Sequence, residues 1–260
     1  MTYTPKRWIR LGLGAALLGT AGLAACSGEG GEAGEIGASR PAVAQGEVGE
    51  GEGGEGQAAL DPAVLLPVDV RAALMAGHVA AGTALARAGE PADAAAHLSL
   101  ALSEVKPGGM TRLVADGLEP DLFDTAADAL DDGAPAEEVE AKLAAVEANI
   151  SLLQANAAGD PAELLAILAK RCLATYRQGV SLDNLIEDPI AFQTAYGYAV
   201  VARDLAAGLE SEDAGGVRLE LELLVRMWPD EGPVTGPPPA PLMTFAAQVS
   251  RVELELSSLQ

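Results

Sequence analysis

The sequence predicts an all-α protein: a bundle or irregular helical-hairpin array of about eight helices that follows a disordered linker. Three observations favour this fold class. Apolar residues recur with helical spacing from about residue 61 onward, Asp-Pro pairs mark several helix starts, and no run of β-branched residues shows the period of two that is typical of strands. Because only 3% of the residues are aromatic, the interior is expected to consist mainly of Ala and Leu.

The first 25 residues have the layout of a secretory signal peptide. A basic stretch with Lys6, Arg7 and Arg10 precedes an apolar run over 11–23 and a small-residue sequence that ends at Cys26. The apolar run is shorter than the roughly 20 residues that a membrane-spanning helix needs. We therefore expect residues 1–25 to be cleaved from the mature protein.

The sequence Leu23-Ala24-Ala25-Cys26 resembles the lipobox of bacterial lipoproteins. The resemblance implies cleavage before Cys26, lipidation of its thiol and attachment to a membrane through the lipid anchor. In lipoproteins of Gram-negative bacteria, a serine such as Ser27 after the lipidated cysteine implies transport to the outer membrane. The expected location is therefore the cell envelope, on the periplasmic side of the outer membrane.

Residues 26–57 are predicted to form a disordered tether. The 31 residues after Cys26 include 11 Gly, 7 Glu and a single base, Arg40, so they have little apolar area to bury. A Gly-rich coil of that length spans about 30 Å. A calcium-binding repeat is disfavoured because the segment lacks the Asp and Asn residues that such loops use.

Residues 58–260 are predicted to form the helical domain. The first helix is expected to start at Asp61-Pro62 and to end at Gly89, and the second to run from Pro91 to about Pro107. Asp160-Pro161 and Asp188-Pro189 repeat the start signal. Further helices are predicted at 120–131, 135–157, 160–179, 189–211, 216–228 and 241–257, with a Pro-rich connector at 232–241 before the last of them.

The first two helices resemble one tetratricopeptide repeat. The matching residues are Gly82, Leu85, Gly89, Ala94, Leu98 and Ala101. Small residues at such positions let the two helices of a hairpin pack closely. Since only one copy is visible and stable arrays need about three, we interpret it as a single hairpin.

Both histidines of the chain, His78 and His97, lie on this hairpin. Their distances from the turn place them opposite each other, and Glu104 shares a helix face with His97. Such a set is a candidate site for a transition metal, or for a haem iron bound by one imidazole. The alternative is a pair of histidines held by hydrogen bonds, since no further metal motif is present.

The histidine pair and the aromatic stretch 192–199 also resemble helical periplasmic proteins of the imelysin kind. That resemblance implies an association with iron. The family's Gly-x-His-x-x-Glu motif is absent, because Gly77-His78 is followed by Val79-Ala80-Ala81. Within 192–199, core packing is the expected role, and Gly197 would leave room for a neighbouring backbone.

Charge and motif content exclude other classes of function. The formal net charge of −22 leaves too few bases to cover nucleic-acid phosphates. No nucleophile motif is present, and Cys172 is expected to be a buried apolar residue rather than a reactive thiol. We therefore expect a binding or scaffold protein without catalysis, with a protein partner in the envelope, and metal or haem handling as the alternative.

Overall fold

The computed structural model describes residues 66–103, 109–157, 159–210, 214–237 and 239–259. Within these ranges the chain forms nine helices and one isolated β-bridge, Val180–Ile186, so the predicted all-α class is confirmed. The helices are α1 (Val68–Ala88), α2 (Pro91–Ser103), α3 (Met110–Ala115), α4 (Pro120–Asp131), α5 (Ala136–Ala157), α6 (Pro161–Gly179), α7 (Pro189–Ala207), α8 (Gly215–Val225) and α9 (Leu242–Ser257). Cys26, Glu104 and the predicted signal peptide and tether lie outside the described residues.

Two of the predicted helix starts are confirmed in atomic detail. The Asp160 carboxylate accepts a hydrogen bond from the Ala162 amide at 2.9 Å, and the Asp188 carboxylate accepts one from the Ala191 amide at 3.0 Å. In each case proline follows as the first helical residue. Aspartate thus satisfies an otherwise unpaired backbone amide, and proline fits where no amide is required.

The start of α1 differs from the prediction. The helix begins at Val68, and Pro67 before it has an extended ψ of 154°. Because Pro67 is extended rather than helical and its ring would clash within a helix, α1 does not continue on the N-terminal side of Val68. Asp61 and Pro62 themselves lie outside the described part of the chain.

The structure differs from the prediction in one additional helix and in two helix ends. The six-residue helix α3 was not predicted, because six residues are too few to display a helical period. Helix α7 ends at Ala207 rather than at 211, because the Gly208 and Leu209 amides bond the carbonyls three residues back, those of Leu205 and Ala206. Helix α8 ends at Val225 rather than at 228, because the last amides bond three residues back and tighten the chain into a turn.

Helices α1 and α7 form the centre of the fold. Helix α1 packs against α2, α5, α6 and α7, while α7 also packs against α6 and α8, and α9 lies on α6 and α8. Helix α4 joins α2 to α5. No helix among the described residues is long and apolar enough to cross a membrane.

An aromatic cluster fills the core at one end of α7. The rings of Tyr176 and Phe245 stack with centroids 3.6 Å apart, and Trp228 meets each of them edge-on. Phe192 and Tyr196 contribute from α7. The Tyr176 hydroxyl donates to the Ala240 carbonyl at 2.7 Å, which fixes the segment before α9 on this core.

Helices α1 and α7 cross at two glycines. A β-carbon at Gly197 would collide with the Gly77 carbonyl oxygen, and one at Gly77 would collide with the ring of Tyr198. The two backbones are therefore in direct contact, as expected for Gly197 from its place in an aromatic stretch. This crossing sets how far residues on α7 can reach toward α1 and α2.

Candidate functional site

Four polar side chains form a buried chain across α1, α2 and α7, which we call the histidine chain. The Nδ1 atoms of His78 and His97 are 3.2 Å apart, and His97 Nε2 is 3.1 Å from Gln193 Oε1. Gln193 Nε2 in turn donates to Asp93 Oδ2 at 2.7 Å. His78, His97 and Gln193 are at most 3% exposed and lie inside the apolar core, whereas Asp93 is partly exposed.

The direction of each hydrogen bond follows from its partners. Asp93 accepts, so Gln193 turns its NH₂ toward Asp93 and its oxygen toward His97. His97 must then carry its proton on Nε2, which leaves Nδ1 with a lone pair. The bond between the rings is therefore donated by His78 Nδ1 and accepted by His97 Nδ1.

Burial keeps His97 neutral. Loss of water around the ring, followed by repulsion from His78, lowers the pKa of His97 from 6.5 to about 4, although the bond to Gln193 and the charge of Asp93 oppose the shift. Only neutral His97 can accept from His78 through Nδ1. The rings are tilted by 36° with centroids 5.4 Å apart, and Tyr198 meets His78 edge-on.

Small residues on α1 allow this arrangement. A β-carbon at Gly82 would lie 3.3 Å from the His97 β-carbon and 3.1 Å from the Ala94 carbonyl, so α2 lies close to α1 at this level. The Gly77–Gly197 crossing brings α7 equally close, and Gln193 is one turn before Gly197. The helices are therefore close enough for His78, His97 and Gln193 to connect them by direct hydrogen bonds.

The structure brings together two of the three predicted metal ligands. The prediction that His78 and His97 face each other across the hairpin is confirmed. Glu104 lies outside the described residues, and among those described no group of three His, Cys, Asp or Glu side chains could hold a metal ion. Two nitrogens bound to one tetrahedral ion at ~2.0 Å lie about 3.3 Å apart, so the observed 3.2 Å suits a hydrogen bond or a shared ion.

Cys172 is a core residue, as expected. Its side chain is 1% exposed and its thiol donates to the Ala195 carbonyl at 3.2 Å. Burial raises the pKa of the Cys172 thiol far above its usual range. The reactive thiolate form is therefore suppressed.

A second candidate site is a surface groove between α5 and α7, which we call the α5–α7 groove. Both helices pack on α1 but make almost no contact with each other, so a strip of α1 remains accessible between them. The groove comprises two adjoining cavities of about 440 and 430 Å³, which share Ser151, Gln154, Val201 and Asp204. Its floor on α1 is formed by Ala76, Val79, Ala80, Thr83 and Ala84.

Ion pairs flank this groove. At one end the Arg87 guanidinium contacts Glu140 at 2.5 Å and Glu147 at 3.5 Å, and on the α7 side Arg203 contacts Asp204 at 2.7 Å. The hydrogen bond from Arg87 lowers the pKa of Glu140. Both arginines in the groove wall are thus already paired with carboxylates of the same chain.

The floor contains one polar side chain, Thr83. It is 2% exposed, and its hydroxyl has no hydrogen-bond partner among the described residues. Thr194 on α7, which is similarly buried, donates its hydroxyl to the Ile190 carbonyl at 2.7 Å. Burial of the Thr83 hydroxyl without a hydrogen bond to any described residue therefore lowers the free energy of unfolding.

Two features of the candidate sites were missed from the sequence. Gln193 connects the histidines to Asp93, and its signal was a lone amide side chain within an apolar and aromatic stretch. The α5–α7 groove had no signal, because it consists of the space between two helices that are separated by more than 30 residues along the chain.

Comparisons with protein-family models, with curated proteins and with solved structures find no match to this chain.

Proposed function

We propose that this chain is a lipid-anchored binding or scaffold protein of the Gram-negative cell envelope. Cys26 carries the anchor, the tether over 26–57 spaces the domain from the periplasmic face of the outer membrane, and a protein partner binds in the α5–α7 groove. The layout of residues 1–27 supports the location. At ~0.8 kcal/mol per buried methylene, two or more acyl chains suffice for stable attachment.

The α5–α7 groove is the observation that carries the binding function. Its floor is a strip of the central helix α1 lined by small side chains, and its two walls are the helices α5 and α7. A protein segment that enters it would bury apolar floor atoms while its polar groups meet Ser151, Gln154 and the ion pairs at the rim. Concave surfaces of this kind are the common location of binding sites.

Co-purification with groove-filling variants tests this function. Ala80 lies on the groove floor, and Ala80→Trp would fill the groove without changing charge. Ala174 is an exposed residue of α6 outside the groove, so Ala174→Trp is the matched control. Wild type and Ala174→Trp should retain the same partner from solubilised membranes, and Ala80→Trp should lose it; equal recovery with all three would refute the binding function of the groove.

The proposed anchor has its own test. Cells grown with labelled palmitate should transfer label to the wild-type chain and none to Cys26→Ala. The wild-type chain should then sediment with outer membranes, whereas Cys26→Ala should not. Label on Cys26→Ala, or membrane sedimentation without label, would overturn the lipid anchor and leave the groove as a separate question.

Metal binding by His78 and His97 is the second candidate function. The Nδ1 separation of 3.2 Å is compatible with a shared ion, and the hydrogen bond from His97 Nε2 to Gln193 supports it, since such bonds commonly orient metal-bound imidazoles. We favour an ion over haem because both rings are packed between helices, whereas a haem iron needs a large cavity beside the imidazole.

Loading with Co²⁺ or Zn²⁺ tests the metal candidate. A metal site should bind one equivalent of either ion per full chain. The Co²⁺-loaded protein should show d–d absorption, and this absorption should disappear in His78→Ala and in His97→Ala. Glu104→Gln reports whether the third predicted ligand contributes. Substoichiometric binding, or binding that survives both alanine variants, would leave the histidines with a purely structural role.

A further inference from the structure

The shape of the α5–α7 groove favours an α-helix as its occupant. Its walls are helices whose backbone groups are bonded internally, so it offers no open strand edge for β-pairing. On α7 the lining extends from Tyr196 to Leu205, which at 1.5 Å per residue is about 14 Å, or roughly two and a half helical turns. The floor of Ala and Val side chains suits the apolar stripe of an amphipathic helix.

The charge of the folded domain indicates the sign of that helix. Residues 58–260 have a formal net charge of −19, and the groove lining itself contributes two bases and two acids. Arg87 and Arg203 at the groove are neutralised by their own carboxylates. The field around the groove is therefore negative, and a basic helix would gain both steering and affinity from it.

The same charge argues against a second copy of this chain. Residues 58–260 have a formal charge of −19, so two copies would repel each other at contact distance. We propose that the α5–α7 groove binds a basic amphipathic α-helix of an envelope protein, with its apolar stripe on the half-buried Ala80 and Ala84. This inference rests on the proposed binding function and specifies its partner.

Synthetic helical peptides provide the test. Three 14-residue peptides are compared: one with a Leu/Ala stripe and Lys on the polar face, one with the same stripe and Glu, and one with the Lys content scrambled so that no stripe remains. Binding is measured by fluorescence anisotropy to the full chain in phosphatidylcholine nanodiscs, with empty discs as the blank. The basic striped peptide should bind at least about tenfold more tightly than the other two.

Variants of the chain locate the binding. Ala80→Trp should weaken binding of the basic striped peptide about tenfold, and Ala174→Trp should leave it within about twofold. Glu147→Gln and Asp204→Asn, which remove the two acids of the groove lining, should weaken it about threefold and reduce its dependence on salt, whereas Glu163→Gln on α6 should not.

The outcomes separate this inference from the proposed function. If the acidic striped peptide binds as tightly as the basic one, or if Ala80→Trp has no effect on the basic one, the basic-helix proposal is wrong. A chain dimer that Ala80→Trp dissociates in sedimentation would overturn it as well. In each of these cases, a partner that co-purifies with the wild type but not with Ala80→Trp would still support the binding function of the groove. If Ala80→Trp also retains that partner, both proposals are wrong.

Discussion

His78 on α1 and His97 on α2 share a hydrogen bond of 3.2 Å between their Nδ1 atoms, and both side chains are buried. The bond is directional, because Gln193 fixes the proton of His97 on Nε2 and so makes its Nδ1 the acceptor. A polar chain from Asp93 near the surface to His78 in the core thereby joins three helices. The first consequences of these hydrogen bonds concern the stability of the fold.

Removing the amide of Gln193 should destabilise the fold. Gln193→Met keeps the volume but leaves the His97 Nε2 proton without an acceptor in the core, and we expect a loss of about 2 kcal/mol in the free energy of unfolding. Gln178 is the matched control, since it bonds Asp188 at the surface, and Gln178→Met should cost less than about 0.5 kcal/mol. Urea denaturation followed by circular dichroism measures both; equal effects would show that the histidine chain contributes nothing.

Acid should destabilise the metal-free protein through His97. Its pKa in the folded state is about 4, below the ordinary 6.5, so the unfolded chain binds a proton that the folded chain does not. The free energy of unfolding is therefore unaffected above pH 6.5 and falls between pH 6.5 and pH 4, by about 3 kcal/mol in total. Urea midpoints across this range should fall more steeply for the wild type than for His97→Leu. Parallel curves would contradict the neutral state of His97.

The crossing of α1 and α7 should not tolerate a methyl group. Gly197→Ala places a β-carbon onto the Gly77 carbonyl, and separating the helices should cost about 3 kcal/mol. Gly215 provides the control, because a β-carbon there meets no atom of the described residues within 4 Å. Gly215→Ala should therefore change stability by less than about 0.5 kcal/mol. A small effect of Gly197→Ala in thermal unfolding would show that the two backbones are not in contact.

The unpartnered hydroxyl of Thr83 predicts a stabilising substitution. Thr83→Val replaces it with a methyl group of similar size, and the free energy of unfolding should rise by about 1 kcal/mol. The same change at Thr194 removes a hydrogen bond to Ile190 and should lower it by about 1 kcal/mol. Opposite signs in the two variants are the expected result. A loss of stability in both would mean that the Thr83 hydroxyl has a partner in solution.

The local features of the fold could be predicted from the sequence, and the long-range ones could not. Asp160 and Asp188 bond amides within three residues of their own positions, so both helix caps could be predicted from the local sequence. His78 and His97 could be placed opposite each other because one short turn fixes the register of their hairpin. Gln193 is 96 residues from His97, and its role depends on a helix crossing that only tertiary packing determines. The α5–α7 groove likewise depends on where α5 and α7 lie on α1.

Site-specific photo-crosslinking in living cells tests the binding function most directly. A benzoylphenylalanine residue replaces Ala80 on the groove floor in one strain and Ala174 on the exposed face of α6 in another, each in the full chain. Irradiation should give a discrete protein adduct from position 80 and none from position 174. Adducts of equal yield and identity from both positions, or none from position 80, would contradict a binding role for the α5–α7 groove.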